Sequence, residues 1–163
     1  MWVQLQRQEV EEEPLKKLKG WVNQGGVLWL DTELARQFGF RLLNAPGSGL
    51  YGQARVAPSG HPILEGLKAG EPLRFTLSPS RLVISVARKD IPQDMTLLLG
   101  WDANSAGTRV FSPCAIFTLG RGVVVYRARE IHPESQAGER FEQNLRSWSF
   151  KTARIPVVPK AGD

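Results

Sequence analysis

Residues 2–7 set Trp2, Gln4 and Gln6 against Val3, Leu5 and Arg7, a period of two that predicts a short strand. Leu15, Leu18, Trp21 and Val22 then recur at three- and four-residue spacing. Pro14, which is tolerated in a first helical turn, precedes them, so an amphipathic helix is expected over Glu11–Asn23, stopped by Gly25 and Gly26. Val27-Leu28-Trp29-Leu30 is apolar without alternation, as in a parallel strand buried on both faces. Strand, helix and strand in such quick succession predict parallel pairing through a right-handed crossover.

Asp31 or Thr32 ends that strand, and Glu33-Leu34-Ala35-Arg36-Gln37-Phe38 resumes helical spacing before Gly39. The stretch from Asn44 to Gly60 holds Pro46, Gly47, Gly49, Gly52 and Pro58. It is too broken for a long element and reads as a surface excursion. His61-Pro62-Ile63-Leu64-Glu65-Gly66-Leu67 predicts a short helical turn. Beyond it strand follows strand: Leu73–Leu77, Leu82–Ala87, Thr96–Trp101, Val110–Leu119 and Val123–Ala128, with Gly120-Arg121-Gly122 as a hairpin signal. Short links require antiparallel pairing there. Ala137, Phe141, Leu145 and Trp148 restore helical spacing from Gln136 to about Phe150, and the tail from Thr152 to Asp163 has little to bury. The expected fold class is α/β: a three-layer, partly parallel flavodoxin-like sheet with antiparallel strands in the C-terminal half. A single domain over 1–150 carries an extended tail over 151–163.

Composition narrows the class more than the activity. A chain of 163 residues, 42% hydrophobic and 23% charged, is an ordinary globule that folds without disulfides or metal. No apolar run is long enough to span a membrane, and the N-terminus lacks the basic-then-apolar layout of a signal peptide, so a cytoplasmic location is expected. The net charge of +5 permits an anionic partner, but Arg36, Arg55, Arg74, Arg88, Arg109, Arg127 and Arg146 are spread along the chain. Nucleic acid is therefore disfavoured as a partner. Glu9 and Glu11–Glu13, followed by Lys16, Lys17 and Lys19, place acid first and base last along the first helix, which suits its dipole.

Three segments together resemble the class I glutamine amidotransferase-like superfamily, including its trehalose-utilisation-type members. They are Leu18 with Trp21-Val22 and Gly25-Gly26-Val27-Leu28; His61-Pro62-Ile63 with Gly66-Leu67; and Gly120-Arg121-Gly122-Val123-Val124-Val125 leading to Phe141, Asn144-Leu145 and Trp148. The resemblance covers Leu18 to Trp148 and implies an abbreviated member or a domain of a longer protein. It also implies a Cys-His-Glu triad whose Cys stands on a sharp strand-to-helix turn. The turn in question, Leu30-Asp31-Thr32-Glu33, has no Cys. The only cysteine, Cys114, lies in Phe111-Ser112-Pro113-Cys114-Ala115-Ile116-Phe117, which reads as a strand and makes it a buried small hydrophobe. Glutamine hydrolysis is not expected.

His61 and His132 each precede a proline, and neither has metal-ligand spacing, so no metal or cofactor is expected. Ligands of open α/β sheets sit beyond the carboxyl ends of the parallel strands. The ligand-binding candidates are therefore Asp31, Thr32, Glu33, His61, Glu130 and His132, with His61 also explained as a residue that structures its own turn. Asp102 to Gly107 reads as a turn, and Trp21, Trp29 and Trp148 as core. The leading expectation is a non-catalytic amidotransferase-like binding or assembly module, in a larger protein or a homo-oligomer. The alternative is an enzyme acting on a small polar or sugar-like substrate, with Asp31 or Glu33 and His132 or His61 as acid and base.

Overall fold

A computed structural model describes residues 2–5, 10–30, 33–44, 54–73, 75–76, 82–128 and 132–153. Strand β1 (Trp2–Leu5), helix α1 (Glu12–Asn23) and strand β2 (Val27–Leu30) form the expected unit, with β1 and β2 parallel from Trp2 beside Val27 to Leu5 beside Leu30. All four residues of β2 are buried. The continuous apolar run arises because both ladders and both faces of this strand are occupied.

α1 ends where Gly25 takes a positive φ of 117°, and Gly26 brings the backbone against the Trp21 ring, leaving no room for a Cβ. Residues Glu33–Phe38 wind as a 3-10 helix. Two short strands, β3 (Leu42–Asn44) and β4 (Arg55–Val56), follow. The reading of Asn44 to Gly60 as wholly a surface excursion is corrected here, since Ala54 and Val56 are buried and β4 belongs to the main sheet. Tertiary pairing makes a strand of two residues that local sequence leaves undecided.

The run expected as a strand over Leu73–Leu77 also differs. Among its described residues Leu73 is not in a strand, and β5 (Phe75–Thr76) pairs outside the main sheet. β6 (Leu82–Ala87), β7 (Met95–Asp102), β8 (Arg109–Leu119) and β9 (Gly122–Arg127) match the expected strands closely. β10 (His132–Pro133) pairs antiparallel with β5, and α2 (Gln136–Thr152) closes the described chain. Lys151 and Thr152, expected in the tail over 151–163, are its last helical residues; residues 154–163 of the expected tail lie outside the described residues.

Among the described residues the main sheet has eight strands and mixes parallel with antiparallel pairing. β2 pairs parallel with β9, and β9 pairs antiparallel with β8, so the two halves of the chain share one sheet. β8 is long enough to be divided. Along one edge β6 covers Arg109–Ser112 and β9 covers Cys114–Leu119, while β7 runs along the other edge. Pro113 stands at that division. Its carbonyl accepts the Ala128 N–H at 2.7 Å, and the N–H that proline lacks falls where one partner strand gives way to the next.

On one face of the sheet, the Phe40 ring meets Phe117 edge-on at 6.0 Å and Tyr126 at a tilt at 5.7 Å. On the other, α2 covers β2 and β9, with the Trp29 indole donating to Ser149 Oγ at 2.9 Å and Phe141 and Leu145 buried. The β8–β9 hairpin docks on the end of α1, where Asn23 O accepts from Arg121 and Gly26 O from Val123, each at 3.0 Å.

Candidate functional site

The parallel strands β1, β2 and β9 point their carboxyl ends to the same edge of the sheet, because Leu5, Leu30 and Tyr126 are successive neighbours in register. In sequence, Asp31, Thr32 and Glu33 follow β2, and Glu130 and His132 follow β9. Asp31, Thr32 and Glu130 lie outside the described residues. Glu33 begins the 3-10 helix after β2, and the His132 backbone pairs with Thr76.

His61 is placed elsewhere. Its Nδ1 accepts the Ile63 N–H at 3.2 Å as the cap of the Pro62–Leu64 turn, and its ring meets Trp148 edge-on at 4.9 Å. Asn144 of α2 donates to the carbonyls of Ile63 and Glu65, and Arg140 donates to that of Gly66. The His-Pro-Ile turn is thus bolted along α2. Trp148 lies twelve residues beyond the start of α2 at Gln136, roughly 18 Å along the axis at 1.5 Å per residue, so His61 and the segment that carries His132 sit at opposite ends of the helix. Burial holds the His61 pKa below its ordinary value of 6.5, and the capping bond requires Nδ1 without a proton.

Cys114 is fully buried in β8, on the face that α2 covers, beside Arg127 and Glu142. Arg127 Nε donates to Glu142 Oε1 at 2.7 Å. Burial, and then the Glu142 carboxylate, push the thiol far above its ordinary range, with Arg127 acting in the opposite direction. No thiolate is available there for attack on a carbonyl. Among the described residues, no group of three or more His, Cys, Asp or Glu could hold a metal ion, and no helix is long and apolar enough to cross a membrane.

A concavity that no sequence pattern marked lies elsewhere among the described residues. It is a cleft of about 700 Å³ along β7, lined by the Arg55–Ser59 segment, Arg88, Ile91 and β7 itself. Arg88 Nη2 binds Asp102 Oδ1 at 2.6 Å and its Nε donates to Gly107 O at 2.7 Å. The Asp102–Gly107 loop is a turn in which Asn104 Oδ1 accepts from Thr108 N at 3.1 Å. Trp101 is buried with its ring edge-on to Phe111 at 5.8 Å. The local signal for this site was slight: the alternation in Ala54-Arg55-Val56-Ala57, and a charged residue just past each of two strand cores, at Arg88 and Asp102.

No family model matches the chain, and no curated protein matches it by sequence. Among solved structures, its fold is similar to that of the beta-galactosidase from Rahnella sp. R3, at 14% identity and a TM-score of 0.49. The likeness takes in 94% of this chain and 22% of that one, so this chain spans less than a quarter of that protein.

Proposed function

We propose that the chain is a non-catalytic, amidotransferase-like α/β domain of three-layer, flavodoxin-like build that serves as an assembly module. Its partner is a second copy of itself or a neighbouring domain of a larger protein. The place of β1 carries this reading: it ends the strand order, with β2 as its described neighbour. An end strand presents a row of backbone groups that another strand can pair with. The enclosure of Cys114 and the absence of Cys from the turn after β2 support the non-catalytic part. The same reading puts the protein in the cytoplasm, where a lone thiol stays reduced. Light scattering from micromolar to near-millimolar concentration tests it. A mass above the monomer is expected, lowered towards the monomer by Gln4→Lys, which places a charge on the edge strand. A concentration-independent monomer overturns the homo-oligomer.

The second reading, an enzyme acting on a small polar or sugar-like substrate, draws its support from the adjacency of β2 and β9. That adjacency sets the carboxyl ends of the two strands, Leu30 and Tyr126, side by side at the edge where α/β enzymes bind ligands. Asp31 or Glu33 would then pair with His132 as acid and base. Hydrolysis of chromogenic sugars that survives unchanged in the Asp31→Ala and His132→Ala variants rules out these roles.

A further inference from the structure

We propose that the cleft along β7 binds an amphipathic organic anion: a carboxylate or similar acid group carried on an apolar body of small-molecule size. The site is separate from the assembly edge, since β7 lies on the opposite side of β8 from β9, β2 and β1. Its volume of about 700 Å³ falls inside the range of roughly 300–1,000 Å³ usual for small-molecule sites.

The cleft exists because β4 is short. β4 meets β7 at Arg55 beside Gly100 and Val56 beside Leu99, and the Ala57 N–H donates to Leu98 O at 2.9 Å. The paired residues of β4 end at Val56, and the chain then reaches Pro58. Met95, Thr96 and Leu97 therefore line open space instead of facing a fourth or fifth residue of β4. Three residues of edge are too few for an added peptide strand, whose ordinary length is about five or six residues. A compact ligand suits the space better.

Charge sets the class of ligand. Two guanidinium groups, Arg55 and Arg88, stand in the lining against one carboxylate, Asp102, and leave an excess of one positive charge. Both arginines are already oriented: Arg88 by Asp102 and Gly107 O, and Arg55 by the bond from its Nη1 to Gly70 O at 2.9 Å. Orienting them on binding costs little. An apolar body against Val56, Met95, Leu97 and Trp101 displaces water from the wall, and an acid group at the mouth offsets the excess charge that a neutral ligand leaves exposed.

The test uses 2-naphthoate as the probe and its neutral analogue 2-naphthamide as the control, followed by amide-resolved NMR of the full chain. Saturable shifts are expected at Ala57, Ser59, Thr96, Leu97 and the Trp101 indole, with naphthamide at least about tenfold weaker, the size of one charged contact. Arg55→Glu, a change at an exposed residue, should weaken naphthoate by about tenfold while leaving the melting temperature unchanged. Absent shifts, shifts confined to another surface, equal affinity for acid and amide, or unaltered naphthoate binding by Arg55→Glu would each overturn the proposal. So would a cleft saturated only by an extended peptide.

Discussion

At the scale of single residues, His61 shows how a site-like side chain is consumed by local structure. It is a histidine beside a proline and a glycine, yet its Nδ1 is committed to the Ile63 N–H and its ring to Trp148. Its pKa in the folded protein lies below the unfolded value of 6.5 because burial disfavours the imidazolium. Between those two values the unfolded chain binds more protons than the folded one, so stability rises with pH there and is lost as pH falls below about 6.5. Protonation also removes the capping acceptor. His61→Ala should therefore cost about 1 kcal/mol at pH 7.5, the usual worth of a cap. The gap from wild type should narrow as thermal melts are taken towards pH 5.5. A gap that stays constant with pH would separate the histidine from any role in the acid response.

At the scale of elements, close approach and buried charge govern what can be changed. Gly122 opens β9 under the end of α1, where a Cβ would fall on the carbonyl oxygens of Val22 and Gly26. Gly122→Ala should destabilise by about 2 kcal/mol or more, because both obstacles are backbone and the hairpin must move off the helix. Gly20, with open space around it, is the control in the same melts. The Arg127–Glu142 bond ties β9 to α2 with only 18% and 10% of the two side chains exposed. Glu142→Ala should cost about 3 kcal/mol, whereas Arg127→Met with Glu142→Leu should cost far less, since the double change removes both buried charges. Denaturant midpoints of the two variants decide it. Sequence alone exposed the strands that such contacts join, because β2 and β9 hold the unbroken apolar runs Val27–Leu30 and Val123–Tyr126, and β8 from Val110 is apolar except at Ser112, Pro113 and Thr118. It could not expose β3 or β4, whose three and two residues become strands through partners about 40 positions away, as in Arg55 beside Gly100. The cleft was hidden for the same reason, being assembled from separate segments around β4, β7 and Arg88. The parallel pairing of β1 with β2 was legible, because it follows from a strand-helix-strand pattern, whereas Asp31, Thr32 and Glu130 lie outside the described residues.

At the scale of the molecule, stability should be graded outward from the forked strand β8. β8 carries partners along both edges, and β2 and β9 combine ladders on both sides with burial on both faces. Their amides can reach water only when the sheet as a whole opens. β4 and the β5–β10 pair are two residues long and can open without disturbing that centre. Hydrogen exchange should therefore divide the chain. Val27–Leu30, Cys114–Phe117 and Val123–Tyr126 should exchange at the rate of global unfolding and respond fully to added denaturant. Val56 and Ala57 should exchange faster, through local openings that denaturant barely changes. The division bears on binding, since Ala57 closes the ladder at the mouth of the β7 cleft. Saturating 2-naphthoate should slow exchange at Val56 and Ala57 by the factor of one plus its concentration over its Kd, if those openings abolish binding. The same addition should slow the β2 and β9 amides by no more than that factor. Protection of Val56 and Ala57 that already equals that of β9 in the free protein would show β4 to be part of the rigid centre, and would remove the local opening on which this coupling depends.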